Sequence, residues 1–294
     1  MTSLQLNAGP SPWGSPYWKK LPTEELARYD LQAPTEKYFI DNLELLVDDM
    51  ETALYKGSLK LPDSPDLVKV VVKTDFFAKA LRTSAFIHEA DMYELHLSSL
   101  QGLSIPYCYG LFQHKDKEDK VSSFLVLEEC GDLIDDVSSL PNSFKLKALD
   151  ALYEIHCAGY IHGDLSLNNI TIKDGQPFFI DLETAEPHKC EMKERIVVGE
   201  ERRKIECDEI DLCCMMLEIW ADSKVKVDGL LVFQRAHLRR ENIDFLLSLL
   251  IHRNRDTEVF RPQVEQLVEK MEAEREYYHN IRSQRRFIEP VAPE

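Results

Sequence analysis

The sequence predicts an α+β fold in which a strand-rich N-terminal part is followed by a mainly helical C-terminal part. Short apolar and β-branched runs, typical of strands, occur at 43–47, 52–57, 67–73 and 123–127. Apolar residues at helical spacing dominate from residue 143 onward, over 144–158, 208–220, 241–251 and 261–285. A length of 294 residues allows one large domain or two lobes.

One helix is expected within the strand-rich part. Its apolar face is marked by four residues at helical spacing, namely Phe86, Ala90, Tyr93 and Leu97. Residues 1–40 have no comparable pattern and suggest an extension with some helix.

The composition excludes several classes of partner. The net charge is −17, and a strongly acidic chain is a poor ligand for nucleic acid or for anionic membranes. No apolar run approaches the length of a membrane span. The seven cysteines have no paired spacing, which indicates buried thiols in a reducing compartment. We therefore expect a cytoplasmic protein, with the nucleus as the alternative, and the oligomeric state stays open.

The segment 160–170, YIHGDLSLNNI, carries the strongest functional signal together with 178–181, FFID. Asp164, Asn169 and Asp181 are the polar residues of interest. An Asp-Gly pair lies between two short apolar runs, which predicts a hairpin that brings Asn169 and Asp181 to the same end.

Two carboxylates and an amide are the groups that phosphoryl transfer from ATP requires. One carboxylate takes or orients the proton of the attacking hydroxyl. The amide and the second carboxylate hold Mg²⁺ against the phosphates, and magnesium needs few protein ligands because it keeps several waters.

This segment resembles the catalytic loop of protein kinases and their relatives, H-x-D-x-x-x-x-N, followed by the metal-binding Asp of D-F-G. The resemblance implies that Asp164 is the catalytic base and that Asn169 and Asp181 are magnesium ligands. It also implies a two-lobed protein-kinase-like fold that binds ATP and Mg²⁺. A small β-rich lobe with one main helix would span 41–130 and a larger, mostly helical lobe 131–294, after an N-terminal extension at 1–40.

The β-branched run that ends at Lys73 resembles the strand that carries the ATP-binding lysine in these kinases. Strand alternation places Val71 on the same face as Lys73, so Val71 is expected to line the adenine. Such a lysine is held by a helix glutamate. Glu89 is preferred over Glu94, since five residues turn a helix by about 500° and point the two side chains apart.

The run 125–132, LVLEECGD, resembles the hinge between the two lobes of a kinase. Main-chain groups of Glu128 and Cys130 would then contact adenine, with Leu127 behind it. Further on, Asp208 resembles the residue that starts the central large-lobe helix, and Arg261-Pro262 resembles the dipeptide that opens a late helix.

Several positions depart from the kinase pattern. The loop 47–52, expected over the phosphates, has no glycine and three acidic residues. Gly163 and Ser166 replace an arginine and a lysine of regulated Ser/Thr kinases. The sequence Asp-Leu-Glu at 181–183 replaces Asp-Phe-Gly and looks more like kinases of the choline and aminoglycoside type.

Two functions are consistent with these residues. The first is an ATP- and Mg²⁺-dependent phosphotransferase that acts on a hydroxyl of a protein or of a small molecule. The second is a pseudokinase that serves as a binding scaffold with weak or no nucleotide turnover, favoured by the acidic loop 47–52 and by Ser166. The sequence does not choose between Ser/Thr, Tyr and metabolite acceptors.

Overall fold

The computed structural model describes residues 3–8, 26–29, 37–48, 52–62, 64–75, 80–115, 121–192, 195–227, 231–251 and 257–284. The chain divides into two compact units. The first is made of Met1–Ile134 and Ala151–Lys189, and the second of Asp135–Asp150 and Cys190–Glu294. Within the described residues, no helix combines the length and the apolar character that crossing a membrane requires.

Seven strands of the first unit form a closed barrel. They are β1 (Ser3–Ala8), β2 (Leu26–Arg28), β3 (Lys37–Asp48), β4 (Ala53–Lys60), β5 (Leu67–Thr74), β6 (Cys108–Lys115) and β7 (Val121–Glu128). Their order around the barrel is β1-β2-β6-β7-β5-β4-β3. Adjacent strands are antiparallel except β1 and β3, which pair in parallel and complete the ring.

This barrel overturns the fold expected from the sequence. The predicted two-lobed protein-kinase-like fold, with a small β-rich lobe and a larger, mostly helical one, is wrong: the described chain has a closed seven-stranded barrel and only five α-helices. β1 and β2 lie within 1–40, where the sequence suggests an extension with some helix. Closure depends on pairing between distant segments, such as Ala27 with Gln113, and such pairing depends on tertiary context more than on local propensity.

Alternating side chains explain why the barrel strands form. In β5 the side chains of Val70 and Val72 are fully buried, whereas Lys69 is exposed. Residues on the inward face of each strand pack together in the barrel interior, as the period of two requires. The buried members are Leu4, Leu6, Leu26, Ile40, Leu43, Ala53, Tyr55, Leu59, Val70, Val72, Phe112, Phe124 and Val126.

The five helices of the described chain are α1 (Ala80–Asp91), α2 (Asn142–Cys157), α3 (Asp208–Met216), α4 (Ile243–Ile251) and α5 (Thr257–Gln284). Each overlaps a helix predicted from apolar spacing. α1 continues as a π-helical turn over Met92–His96. Phe86, Tyr93 and Leu97 are fully buried, as their spacing predicts.

The first unit also contains short strands outside the barrel, namely β8 (Asp132–Leu133), β9 (Tyr160–Ile161), β10 (Ile170–Lys173), β11 (Gln176–Phe179) and β12 (Glu186–Pro187). β10 and β11 form the predicted hairpin, with Ile170 paired to Phe179. Asp174 and Gly175 at its turn have φ of 52° and 70°, the left-handed conformation that such tight turns require.

The second unit has its own core, built by α4, α5 and the hairpin of β13 (Lys224–Val227) and β14 (Leu231–Gln234). The buried residues are Phe233, Leu238, Leu246, Leu247, Val264, Val268 and Met271. Asp208 begins α3, as expected. Pro262, expected to open a helix, instead lies inside α5, where its missing N–H removes one helical hydrogen bond near the start.

Closure by the N-terminal strand is testable at Leu4. Leu4 is fully buried in the barrel interior, so Leu4→Ala is expected to lower the free energy of unfolding by about 2–5 kcal/mol. Gln5, the next residue of β1, is not in this core, and Gln5→Ala is expected to change stability by no more than ~0.5 kcal/mol. Chemical denaturation of both variants makes the comparison. Equal effects of the two substitutions would contradict the barrel.

Candidate functional site

The candidate site is built around Lys73, near the end of β5. Val71 and Lys73 are partly buried and alternate with the buried core residues Val70 and Val72, so they lie on the face of β5 away from the barrel interior. From this face the Lys73 ammonium reaches α1, where Nζ donates to Glu89 Oε2 at 2.7 Å.

Glu89 lies on the buried face of α1. Its side chain is 1% exposed, and Phe86, one helical turn earlier, places its ring centroid 5.7 Å from Lys73 Nζ. Glu94, the alternative partner, instead forms an ion pair with Arg28 at 2.7 Å. The structure therefore brings Lys73 together with Glu89 and not with Glu94.

Two further carboxylates converge on Lys73 from the segment after β11. Asp181 Oδ1 lies 2.8 Å from Lys73 Nζ, and Glu183 Oε2 lies 3.4 Å from it. Asp181 has φ of 65°, a left-handed conformation that aspartate tolerates better than most residues. Sequence reasoning assigned no role to Glu183; an acidic residue two positions after the predicted metal ligand was the available signal.

The charges of this cluster decide its protonation. Burial acts to lower the pKa of Lys73, but the carboxylates of Glu89 and Asp181 outweigh burial and raise that pKa well above its ordinary value. Burial raises the pKa of Glu89, and the charge of Lys73 opposes this effect. Lys73 thus stays protonated at physiological pH and supplies the positive charge that a buried carboxylate needs.

The loop that carries Asp164 lies against main-chain carbonyls on both sides of Asp181. The buried His162 side chain contacts the Ile180 carbonyl through Nε2 at 2.8 Å. Gly163 has φ of +83°, and a Cβ there would lie 2.2 Å from the Thr184 carbonyl oxygen. Glycine is therefore required at this position by the close approach of the two segments.

Asp164 and Asn169 are joined within that loop. Asn169 Nδ2 donates to the Asp164 carbonyl at 2.7 Å and to its Oδ2 at 3.3 Å. The Asn169 carbonyl accepts from the amide of Ile180 at 3.0 Å, one residue before Asp181. Asn169 is buried whereas Asp164 is exposed. The three residues of the sequence motif are thus connected, with the Asp164 carboxylate open to an incoming molecule.

A side chain of α1 also contacts the segment that follows Asp181. His88 in α1 contacts the Ala185 carbonyl through Nε2 at 2.8 Å. α1 therefore holds both Glu89 against Lys73 and the chain that carries Asp181 and Glu183. No sequence pattern indicated His88, because its role depends on where the later segment runs.

Of the residues expected to surround adenine, Val71 lies on β5 with Lys73, and the others lie on or directly after the adjacent strand β7. Val71 of β5 is the direct cross-strand partner of Leu127 of β7, and directly opposed residues share a face of the sheet. The Glu128 amide donates to the Tyr107 carbonyl at 2.8 Å, and its carboxylate accepts from Lys173. Cys130 follows the end of β7 and is buried. The structure gives an apolar strip next to the charged cluster.

The donor set suits a hard divalent cation. The ligand oxygens of Glu89, Asp181 and Glu183 all lie within 4.8 Å of one another. Glu89 Oε1 is buried without a hydrogen-bond partner among the described residues. Because Asn169 Nδ2 donates to Asp164, its amide oxygen is the atom available to a metal. Oxygen-only ligands of this kind fit Mg²⁺.

The acidic loop predicted over the phosphates is described only in part. Val47 lies in β3 and Thr52 precedes β4, whereas residues 49–51 lie outside the described residues.

Comparison of the chain with models of protein families and with curated proteins finds no match.

The Lys73–Glu89 pair yields a stability prediction. Lys73→Met leaves the Glu89 carboxylate buried without its partner, and such a loss costs on the order of 3 kcal/mol. Lys69→Met, on the same strand but exposed, is the control and is expected to change stability by no more than ~0.5 kcal/mol. Chemical denaturation at pH 7 measures both.

The same variant has a defined pH dependence. Glu89 has a raised pKa in the folded protein, and without Lys73 its ionisation becomes less favourable still. The destabilisation by Lys73→Met should therefore shrink as pH falls and Glu89 takes up a proton. Replacement of Glu89 by Gln in the same chain should restore part of the stability at pH 7. A loss that is independent of pH and of Glu89 would contradict this account.

Thiol reactivity tests the burial of Cys130. Burial and the nearby charge of Glu128 raise the pKa of Cys130 to about 12, so its thiolate is scarce at pH 8 and alkylation is slow. Cys157 is exposed and should react with iodoacetamide much faster in the folded protein. Peptide mass spectrometry after timed alkylation compares the two cysteines. Equal rates would show that Cys130 is open to solvent.

Proposed function

We propose that this protein transfers a phosphoryl group from ATP to a hydroxyl, with Mg²⁺ as cofactor. The observation that carries the proposal is the convergence of Lys73, Glu89 and Asp181 beside the connected pair Asp164 and Asn169. These residues come from distant parts of the sequence, and only Asp164 and Asn169 belong to the same loop. A positive charge, metal-binding oxygens and an exposed carboxylate in one place are what this reaction requires.

The charge of the site supports a requirement for metal. Glu89, Asp181, Glu183 and Asp164 carry four formal negative charges, and Lys73 carries one positive charge. ATP alone would be repelled by the resulting excess of negative charge. Mg²⁺ bound to ATP supplies the compensating charge, so the nucleotide is expected to bind only as its magnesium complex.

Each side chain has a role in this proposal. Asp181 and the Asn169 amide oxygen hold magnesium, with Glu183 as a third oxygen ligand. Lys73, positioned by Glu89, contacts a phosphate oxygen. Exchange of Asp181 for phosphate on the Lys73 ammonium would free the Asp181 carboxylate for the metal. The catalytic contribution is positioning and charge neutralisation.

Asp164 is proposed as the catalytic base. Its Oδ2 accepts a hydrogen bond from Asn169, which fixes the carboxylate and leaves Oδ1 to accept the proton of an acceptor hydroxyl. Because Asp164 is exposed, a hydroxyl of a protein or of a small molecule can reach it. The apolar strip of Val71 and Leu127, with the main chain of Glu128 and Cys130, is proposed to hold the adenine.

A binding scaffold without turnover is the second candidate. It is favoured by the saturation of Lys73, whose ammonium already contacts three carboxylates, and by Ser166 in place of a lysine that would neutralise phosphate charge. In this alternative the same cluster is a structural ion pair network, and nucleotide either fails to bind or binds without reaction.

Thermal unfolding with ATP, in the presence and absence of Mg²⁺, tests nucleotide binding. Binding to the native state alone stabilises it by about 2.7 kcal/mol at a ligand concentration of 100 Kd. A rise in melting temperature is expected only with both ATP and Mg²⁺, and Asp181→Asn should abolish it. Asp174→Asn, at the hairpin turn where asparagine tolerates the positive φ, is the matched control and should retain the rise.

Turnover separates the two candidate functions. Asp164→Asn is expected to reduce ADP release by about 100-fold or more with Mg-ATP binding retained, because the base acts on the chemical step. Binding of Mg-ATP without ADP release, in the wild-type protein and with a broad set of hydroxyl acceptors, would favour the scaffold. No stabilisation by Mg-ATP at millimolar concentration would sink both the enzyme and its nucleotide site.

A further inference from the structure

The second unit contains a cavity whose wall includes none of the residues that cluster around Lys73. Its volume is about 460 Å³, within the range of small-molecule sites. It is lined by the segment 200–203 before α3, by three residues after β14 (Arg235, Ala236 and Arg239) and by the second half of α5.

Arginine dominates the wall of this cavity. The wall has five arginines and three glutamates, an excess of two positive charges with histidine counted as neutral, in a chain whose net charge is −17. The five arginines are Arg202, Arg203, Arg235, Arg239 and Arg275. A local positive charge in a concave surface attracts anions, because the field is focused in the cavity.

Three of these arginines form ion pairs with glutamates of the wall. Arg275 donates from Nε to Glu201 at 2.7 Å and from its two terminal nitrogens to the carbonyls of Leu238 and Arg235, both at 2.8 Å. Arg235 pairs with Glu274 at 2.8 Å. Arg203 lies 3.5 Å from Glu200. The three wall glutamates are therefore each matched by one arginine, and the guanidinium groups are positioned before any ligand arrives.

The remaining two arginines carry the excess charge. Among the residues that the structure describes, Arg239 forms no ion pair, and its Nε donates to the Ala236 carbonyl at 3.3 Å. Arg202 pairs at 3.1 Å with Asp211, which is not part of the wall, and its side chain is 55% exposed. Both guanidinium groups can turn toward a ligand at a small cost, because an exposed ion pair contributes little.

We propose that this cavity binds a compact oxyanion with two or more negative charges, of the phosphate or polycarboxylate type. The planar guanidinium presents parallel N–H donors that match the oxygens of phosphate and carboxylate. The three arginines that pair with wall glutamates line the cavity before a ligand arrives, and Arg202 and Arg239 close on the ligand. Tyr278 in the wall adds a hydroxyl donor, whose pKa is raised by burial and by Glu274.

Isothermal titration with pyrophosphate and with citrate tests this site. The titrations use the full chain in buffer freed of divalent metal by a chelating resin, at constant ionic strength set with potassium chloride, so that the carboxylate cluster around Lys73 repels both probes. Saturable binding of at least one probe is expected, and the tighter one identifies the phosphate or the carboxylate class. Each probe is titrated up to about 10 mM. The absence of saturable binding of both probes would overturn the proposal, since charge-assisted contacts with two arginines are expected to give a Kd below this concentration.

The double variant Arg202→Gln/Arg239→Gln assigns any binding to the cavity. It should raise the Kd by more than about 10-fold, because charge-assisted hydrogen bonds from both side chains are lost. Arg240→Gln is the control: Arg240 is exposed, pairs with Glu272 and is not in the wall, so its Kd should stay within about twofold of wild type. Equal Kd values in all three proteins would place the binding outside the cavity and overturn the proposal.

A negative oxyanion titration is distinguishable from a failure of the proposed phosphotransferase activity. The double variant leaves Lys73, Asp164 and Asp181 untouched, and the measurement contains neither ATP nor Mg²⁺. Thermal unfolding with Mg-ATP on the same double variant should match wild type, which verifies that the chain is folded when the oxyanion titration is read.

Discussion

The site depends on the ion pairs that the partly buried Lys73 ammonium makes. It is the shared partner of Glu89 from α1 and of Asp181 and Glu183 from the segment after β11. Three carboxylates this close would repel one another strongly without it. Lys73 thus holds α1 and the segment after β11 together. The proposed contacts with nucleotide and metal all involve this cluster.

Backbone geometry does the rest of the positioning. The left-handed Asp181 turns the chain so that Glu183 also faces Lys73, and the absent side chain of Gly163 lets the Thr184 carbonyl approach. The Asn169 carbonyl holds the amide next to Asp181. Precise placement of two carboxylates therefore needs few side-chain contacts, and it leaves the exposed Asp164 free to meet an acceptor.

Local patterns in the sequence predicted the local structure and three of the clustered residues, Lys73, Glu89 and Asp181. Strand alternation placed Lys73 on its face, helical spacing placed Glu89, and the Asp-Gly turn gave the hairpin before Asp181. The barrel could not be predicted in this way, because β2 is only Leu26–Arg28 and its pairing partner is far along the chain. Glu183 was missed because its direction depends on the φ of Asp181, which the sequence does not encode in a visible pattern.

Barrel closure has a consequence for how the chain folds. β2 can pair with β6 only after the long segment between them has been synthesised, since Ala27 pairs with Gln113. Until that pairing forms, β2 and β6 present open edges with unpaired N–H and C=O groups. The last step of assembly is therefore a long-range one, expected to be slow, and the incomplete barrel is the state in which this acidic chain is most exposed to strand exchange with a second copy.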